Sequence, residues 1–406
     1  MLAVLQAGGA GSRMDVLTRE RAKPVLPFGG TFRLIDFALS TVAAAGVPDV
    51  WVSVQFQASS LDLYLAGGRP WDLDRTRGGY RRMVPQEGSG PATVAGFANG
   101  NADDLYRIAG DIAVHAPRTV VVLSCDHVID LDLAAVLEQH HERGAECTVV
   151  TAEVGVREAQ HNMVVRAGRD GVVTSVDYKP DRVPDTGLVA TEVFVYDAAV
   201  LLEQLEVLRR ELAPAASDPG DTGLGDFGEH LLPRLVARGR THVAPVTGYW
   251  RDVGRPESFL MAHRDLLAGR IGVFDHPERP VLSHPSEGPP GIVAEGSTVV
   301  DSMVGPRSVV RGTVRRSVLG PRVEVQAGAV VEDCVLFGDT VVEAGARVAT
   351  AVVDEGVTVG RDAVVGRLHG RGAVPGDAVT LIGRDCRVRR GADLPAGTRM
   401  EPGSSS

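Results

Sequence analysis

The last third of this chain carries a periodic series of branched aliphatic residues, and this series restricts the fold more than any other feature. Its members are Leu319, Val325, Val331, Leu336, Val342, Val348, Val353, Val359 and Val365. Glycine and polar residues separate them, and three steps along the series close a coil of about seventeen or eighteen residues. Aliphatic side chains at this spacing point into the interior of a triangular prism. The pattern predicts a left-handed parallel β-helix of hexapeptide repeats over residues 292–398.

The residues before this series alternate between strand and helix patterns. Short apolar runs occur at 2–7, 50–54 and 120–124, and helical patterns occur at 32–45, 103–112 and 131–143. Such alternation is typical of an α/β domain. We therefore expect a Rossmann-like domain over residues 1–270, built on a mixed, mainly parallel sheet.

Two further segments lack helix or strand patterns. Residues 271–291 are rich in proline and predict a linker between the two domains. Residues 399–406 end in Pro, Gly and Ser and predict a disordered tail.

The composition limits the classes of partner and compartment. A formal net charge of −10 argues against nucleic acid as the main partner. No apolar stretch is long enough to cross a bilayer, which argues against a membrane partner. The four cysteines are far apart and form no CxxC pair, which is typical of reduced thiols. We expect a cytoplasmic protein.

A glycine-rich turn follows the first predicted strand. Gly8, Gly9 and Gly11 bring backbone N–H groups close to an anion, because no Cβ obstructs the approach. Arg13 and Lys23 add positive charge that neutralises phosphate. The spacing matches neither the Rossmann fingerprint nor the Walker A loop.

Two acidic residues and one lysine complete the candidate chemistry. Asp126 ends a buried apolar run, where a carboxylate needs a partner or a function. The alternative, a cap for the following turn, stays open. Asp252 is a second candidate metal ligand, and Lys179 follows a short strand. A solvated loop lysine is the alternative for Lys179.

The run from Gly8 to Pro24 resembles the signature of sugar-1-phosphate nucleotidyltransferases. Residues 27–40 and 249–254 are similar to the bacterial glucose-1-phosphate adenylyltransferase (ADP-glucose pyrophosphorylase) branch of that family. The resemblance covers nearly the whole chain. It implies a GT-A-like catalytic domain, with ATP and glucose 1-phosphate as substrates, ADP-glucose as product and Mg²⁺ as cofactor. It also implies a homo-oligomer, a dimer or tetramer, built partly through the β-helix.

The resemblance also implies roles for individual residues. The catalytic residues are Arg13, Lys23 and Asp126, and the metal ligands are Asp126 and Asp252. The nucleotide-binding residues are Gly8, Gly9, Gly11, Ser12, Gln86 and Gly100. The sugar-phosphate site comprises Lys179, Tyr178, Ala98, Ala190 and Glu192.

The chain departs from the family pattern mainly at the sugar pocket. Ala98, Tyr178 and Ala190 replace residues that touch or shape the sugar in the family, and Glu192 stands where the family has glycine. Lost hydrogen-bond partners change specificity strongly. A salt bridge between Glu192 and a neighbouring lysine or arginine, such as Lys179, is the alternative, and it would leave the pocket unchanged. Thr31 stands where the family uses a lysine for activation by sugar phosphates, so the resemblance does not imply that control for this chain.

Several alternatives for the substrates and for the function have to be compared. The acceptor is glucose 1-phosphate or a related 1-phosphate, such as a modified hexose or a valienol-type cyclitol, and GTP is an alternative nucleotide. A non-catalytic regulatory paralogue is disfavoured because Arg13, Lys23 and Asp126 are all present. An acyltransferase is disfavoured because the repeats carry a single histidine, His369, in a short glycine-rich segment.

Overall fold

The computed structural model describes residues 1–9, 11–84, 97–183, 187–212, 222–285, 288–370 and 372–406. The strands before the repeats are β1 (Leu2–Gln6), β2 (Pro27–Phe28), β3 (Phe32–Arg33), β4 (Asp49–Ser53), β5 (Gly79–Met83), β6 (Thr119–Ser124), β7 (His127–Ile129), β8 (Cys147–Val154), β9 (Met163–Ala167), β10 (Val173–Tyr178), β11 (Gly187–Asp197), β12 (Thr241–Pro245) and β13 (Trp250–Asp252). The helices are α1 (Leu34–Ala44), α2 (Ala58–Leu65), α3 (Asn101–Arg107), α4 (Ala109–His115), α5 (Leu133–Glu142), α6 (Val156–Ala159), α7 (Ala198–Leu212), α8 (Leu231–Ala237) and α9 (Pro256–Leu267).

A nine-stranded mixed sheet forms the centre of the first part. Its main order is β10-β9-β11-β6-β1-β4-β5, with β8 and β12 added through β11. The strands β6, β1, β4 and β5 are parallel, whereas β11 runs antiparallel to β6. Strand β1 is buried on both faces, from Leu2 to Leu5 at 0% exposure, which explains its continuous apolar run. The predicted mixed α/β sheet is confirmed.

One predicted helix is divided in the structure. Residues 103–112 fall in two helices, α3 and α4, separated at Ile108, whose φ of −103° and ψ of 3° are not helical. Leu105, Ile108 and Ile112 nevertheless lie in one apolar cluster, so both short helices pack against the same core.

The repeats form the predicted β-helix. Its strands are β14 (Ile292–Val293), β15 (Thr298–Val300), β16 (Met303–Val304), β17 (Val309–Val310), β18 (Thr313–Arg315), β19 (Val318–Leu319), β20 (Glu324–Val325), β21 (Val330–Leu336), β22 (Val341–Val342), β23 (Arg347–Val353), β24 (Thr358–Val359), β25 (Val364–Val365), β26 (Thr380–Ile382), β27 (Arg387–Val388), β28 (Asp393–Leu394) and β29 (Arg399–Met400). All pair in parallel, and Val325, Val342 and Val359 stack in register. Every member of the aliphatic series is at most 1% exposed, in one shared cluster.

The segment expected to be a disordered tail is ordered in the structure. Arg399 and Met400 form the last strand, and the backbone N–H of Ser406 donates to the Arg387 carbonyl at 3.1 Å. The Cys386 thiol also donates to the Glu401 carbonyl at 3.0 Å. These residues cover the outer edge of the last coil, which would otherwise leave backbone groups unpaired.

The two parts of the chain share one apolar cluster. Phe28 and Phe259 from the first part lie in it with Phe337 of the β-helix, and the rings of Phe259 and Phe337 are 6.1 Å apart. Beside it, buried Arg21 pairs with buried Asp354 at 2.6 Å. Burial raises the pKa of Asp354 to about 6, although Arg21 opposes the shift. The contact between the parts therefore resembles a domain core.

The state of the cysteines and the lengths of the helices agree with the expectations from the sequence. Each of the four cysteines is buried and free of disulfides. Within the described ranges, no helix is long and apolar enough to cross a membrane.

The pH dependence of stability tests the packing of α9. His263 is buried, its Nδ1 donates to the Phe259 carbonyl at 2.9 Å, and its Nε2 accepts from the Gly29 N–H at 3.2 Å. Burial lowers the pKa of His263 to about 4, below its unfolded value. The neutral ring therefore stabilises the fold above about pH 6.5, and this contribution is lost as the pH falls towards 4.

We expect His263→Gln to lower the free energy of unfolding by about 1–3 kcal/mol at pH 7.5. The difference from the wild type should shrink steadily towards pH 4. Urea unfolding of both proteins across this range measures it. A difference that stays constant with pH would contradict the neutral, buried ring.

Candidate active site

The described residues enclose a cavity of about 400 Å³ at the carboxyl ends of the central parallel strands. In the register of the sheet, Gln6 of β1 pairs with Ser53 of β4 and Ser124 of β6. The loops that follow these strands therefore start at the same level and meet over the sheet. Such an edge is where open α/β sheets bind ligands.

The glycine-rich turn forms one wall of this cavity. Gly8 lies against Gln55, and a Cβ on Gly8 would come within 2.9 Å of the Gln55 side chain. Gly11 has a φ of 65°, and a Cβ there would lie 3.1 Å from the Cβ of Lys23. Gly9 has open space on its Cβ side. Ser12 and Arg13 are exposed at the rim. The described glycines of the turn, Gly8, Gly9 and Gly11, thus line the cavity, and anion binding by their backbone stays a prediction.

A second close approach fixes the opposite wall. Gly100 has a φ of 129°, and a Cβ there would lie 2.3 Å from the carbonyl of Gly225. Asp103, which follows it, accepts hydrogen bonds from the Asn99 N–H and the Thr222 hydroxyl and stays out of the cavity. Gln86, the predicted base-contacting residue, lies outside the described residues.

Strand pairing brings the two predicted metal ligands together. Asp126 follows β6, and the antiparallel pair of β7 with β13 places Asp252 directly opposite His127. One ligand atom from each of Asp126, His127 and Asp252 lies within 4.8 Å of the others. The short pair β7–β13 thus joins residues that are far apart in the chain.

Lys23 supplies the positive charge at this point. Its Nζ lies 2.5 Å from Asp126 Oδ2 and 4.0 Å from Asp252 Oδ1, and the lysine is only 6% exposed. Burial alone would raise the pKa of Asp126, but Lys23 and His127 hold it well below its usual range. Asp126 therefore stays ionised throughout the physiological range.

His127 lies beneath the carboxylates. Its Nδ1 donates to the Thr191 carbonyl at 2.9 Å, and its Nε2 is 3.2 Å from Asp126 Oδ1. Burial opposes the charged ring, yet Asp126, Glu192 and Asp252 together raise the pKa of His127. His127 therefore offsets part of the negative charge.

A divalent cation fits this position. Asp126 and Asp252 offer carboxylate oxygens, which hard cations such as Mg²⁺ prefer. The ammonium group of Lys23 already lies beside both carboxylates, so the place favours positive charge. When bound there, a divalent ion supplies charge neutralisation for phosphate groups.

The other predicted ligand-binding side chains lie on the far side of Asp126. Tyr178, Lys179 and Glu192 line the main cavity together with Ala98, and Ala190 lines a small side chamber of about 30 Å³. The alternative pairing of Glu192 with Lys179 is wrong. Lys179 instead lies 4.3 Å from the centre of the Tyr178 ring and 3.8 Å from Asp226.

Several cavity residues were missed from the sequence. Asp104 is buried and accepts hydrogen bonds from the side chains of Gln6, Ser53 and Gln55. Its position beside Asp103, just after Gly100, was an available signal. Asp226 accepts a hydrogen bond from the Tyr178 hydroxyl. No pattern around Asp226 marks it, because the fold alone brings it to the cavity.

Comparisons with known proteins agree with this arrangement. A family model described as "Nucleotidyl transferase" matches residues 2–269, and one described as "GlmU-like, C-terminal hexapeptide" matches residues 292–373. The chain is 34% identical over 368 residues to a glucose-1-phosphate adenylyltransferase of Bacillus mycoides (strain KBAB4), across 90% of this chain and 92% of that protein. Proteins of the same name from Bacillus cereus (strain Q1) and Bacillus anthracis are 33% identical over the same shares.

The contact of Lys23 with Asp126 makes a prediction about ion binding. Because the ammonium group occupies a carboxylate that a metal would need, Lys23→Met should tighten Mn²⁺ binding about tenfold in the absence of nucleotide. Titration of free Mn²⁺ by electron paramagnetic resonance measures the affinity.

Two matched variants complete this test. Asp252→Asn should weaken Mn²⁺ binding, because it removes one of the carboxylates. Lys179→Met removes the same charge from the cavity without touching Asp126, and should leave the affinity within about twofold. Unchanged or weaker binding by Lys23→Met would contradict the competition.

Proposed function

This chain belongs to the nucleotidyl transferase family, and we propose that it joins ATP and glucose 1-phosphate to give ADP-glucose and pyrophosphate. The observation that carries the proposal is the meeting of four elements in one cavity. These elements are the glycine-rich turn, Lys23, the carboxylate pair and Lys179. The relatives of the same name span nine-tenths of the chain, which favours this nucleotide and this sugar.

In the reaction, one bond to the α-phosphorus forms and one bond to it breaks. A phosphate oxygen of glucose 1-phosphate attacks that phosphorus, and the bond to the β-phosphate oxygen breaks, so that pyrophosphate leaves with its electron pair. Such transfers depend chiefly on positioning and on stabilisation of the phosphoryl oxygens.

The residues of the cavity divide these tasks. Backbone N–H groups of the turn from Gly8 to Ser12 bind the triphosphate, while Arg13 and Lys23 neutralise the leaving pyrophosphate. Gln86 and Gly100 contribute to the nucleotide site, and Lys179 binds the phosphate of the acceptor. The burial of Lys23 supports its role, because a cation in a partly desolvated cleft attracts phosphate more strongly than one in bulk water.

A divalent metal is generally used by nucleotidyltransferases of this kind, and Asp126 with Asp252 would hold Mg²⁺ here. Its chemistry would be neutralisation of the triphosphate charge. This assignment is supported by the distances from Lys23 Nζ, which lies within 4.0 Å of a carboxylate oxygen of each aspartate.

The division of the chain follows from these roles. Residues 1–270 form the catalytic domain, 271–291 connect it to the rest, and the β-helix over 292–398 assembles subunits into a homo-oligomer. Exposed apolar residues in the first coil of the β-helix support its role in assembly. The edge strands β14, β15 and β16 expose Ile292, Val293, Val300 and Met303, at 38% to 59% of their surface.

A substrate matrix tests the reaction. Pyrophosphate release with each nucleoside triphosphate and a panel of 1-phosphates should give the highest kcat/KM for ATP with glucose 1-phosphate. Asp126→Asn should lower kcat by about 100-fold or more, because it removes charge at the reacting phosphates.

Asp301→Asn is the matched control. The same change at Asp385, an exposed β-helix residue with a φ of 55° that lies outside the first coil, is a second control, and both variants should leave kcat unchanged. Full activity of a folded Asp126→Asn protein would contradict the role of that carboxylate. A clear preference for GTP, or for a cyclitol 1-phosphate, would contradict the substrate assignment.

The oligomer has its own test. Deletion of the β-helix would uncover the apolar cluster around Phe28 and Phe259, so point changes are preferable. Ile292→Lys with Val300→Lys should give a smaller particle by light scattering with an unchanged circular dichroism spectrum, because two lysines would be buried at the interface. Leu368→Lys, at another exposed apolar residue, should keep the wild-type mass. An unchanged mass for the double variant would place the interface elsewhere.

A further inference from the structure

Glu192 has a backbone conformation that glutamate rarely adopts. Its φ is 56°, and it lies within β11 where the register against β8 shifts between Ala190 and Phe194. A left-handed conformation costs a non-glycine residue free energy, and such strain accumulates at functional sites. Glu192 lines both the main cavity and the side chamber.

The order of the sheet assigns Glu192 to one end of the cavity. Asp126 follows β6, in the middle of the sheet. The glycine-rich turn follows β1, on the side of β4 and β5, whereas Glu192 belongs to β11 on the opposite side. If the triphosphate lies on the glycine-rich turn, Glu192 faces the acceptor. Its neighbours there include Tyr178, Lys179 and Asn162.

No cation near Glu192 is available to it alone. Among the described residues, its nearest cationic group is His127, with 4.0 Å between Glu192 Oε2 and the ring Nε2. That nitrogen lies closer to Asp126, at 3.2 Å. Lys179 is directed to Tyr178 and Asp226. Glu192 thus lacks a close counter-ion, although its side chain is only 45% exposed.

This environment is unfavourable for the carboxylate in the free protein. Desolvation in the cleft raises the pKa of Glu192, and the charges of Asp126 and Asp252 add to the shift, although His127 opposes it. The left-handed backbone of Glu192 costs folding free energy, and among the described residues its carboxylate has no close partner to offset the part of its hydration that the cleft removes. A hydrogen-bond donor on a bound acceptor would offset this cost, because bonds to charged groups are among the stronger ones.

We propose that Glu192 is a specificity-determining residue that selects the acceptor by charge. Its carboxylate accepts a hydrogen bond from a hydroxyl or ammonium group on the acceptor ring and repels a 1-phosphate that carries an anionic substituent there. The substrate class is therefore neutral or cationic sugar 1-phosphates, to the exclusion of sugar acids. This inference rests on the proposed function, since it concerns the acceptor of that reaction.

The test compares three acceptors of similar size. These are glucose 1-phosphate, glucosamine 1-phosphate and glucuronic acid 1-phosphate, with kcat/KM measured by pyrophosphate release. The wild type should use glucuronic acid 1-phosphate at least 100-fold less well than glucose 1-phosphate. Glu192→Gln keeps the size of the side chain and removes its charge, so it should reduce that discrimination about tenfold or more.

Glu192→Gln should change the relative kcat/KM for the cationic acceptor in the opposite direction. The ratio of kcat/KM for glucosamine 1-phosphate to that for glucose 1-phosphate should fall about tenfold in Glu192→Gln. Glu153→Gln removes one negative charge from an exposed position on β8, outside the cavity, and should leave both ratios within twofold. Opposite shifts for the amine and the acid separate selection by charge from loss of fit.

The outcomes distinguish the two proposals. Activity with unchanged ratios in Glu192→Gln, or equal shifts in Glu153→Gln, overturns the role of Glu192 and leaves the proposed function intact. Absence of pyrophosphate with every acceptor overturns the proposed function and this inference with it.

A second variant provides a measurement that does not depend on activity. Glu192→Gly should raise the melting temperature, because glycine adopts this φ without strain and the poorly paired charge is removed. It should also flatten the preference among the three acceptors. A lower melting temperature would show that the carboxylate stabilises the free protein, which would overturn the argument from strain.

Discussion

The mutual repulsion of carboxylates at the end of β6 is the constraint on which the rest of the structure depends. Asp126, Asp252 and Glu192 all lie around His127, and the shortest ion pair that any of them forms among the described residues is that of Asp126 with Lys23. Without that lysine, ionised groups in a partly desolvated cleft would favour their neutral forms. The segment that carries Lys23 must therefore be held rigidly against the sheet.

The sequence was sufficient for features that repeat or that combine several residue types. The aliphatic series predicts the β-helix because each member is buried in the same way in successive coils. The glycine-rich turn and Asp126 could be placed in one cleft because parallel strands end at one edge. The pairing of Asp252 with His127 required the structure, since no local pattern predicts which strands pair.

Features that depend on tertiary contacts could not be predicted in this way. Asp226 reaches the cavity through the tertiary fold, and there it accepts a hydrogen bond from the Tyr178 hydroxyl. The terminal serines look like a flexible tail, yet the backbone of the last coil provides partners for them. The sequence also could not predict that Lys179 lies beside Asp226, because a long side chain can extend in many directions.

The short segment from Arg21 to Lys23 has a consequence for how the molecule unfolds. Arg21 is tied to Asp354 of the β-helix, and Lys23, two residues later, is tied to Asp126. Separation of the two halves would break the Arg21–Asp354 ion pair and expose the shared apolar cluster to water in the same event. Catalytic cleft and β-helix thus form a single cooperative unit, whose local openings are coupled rather than independent.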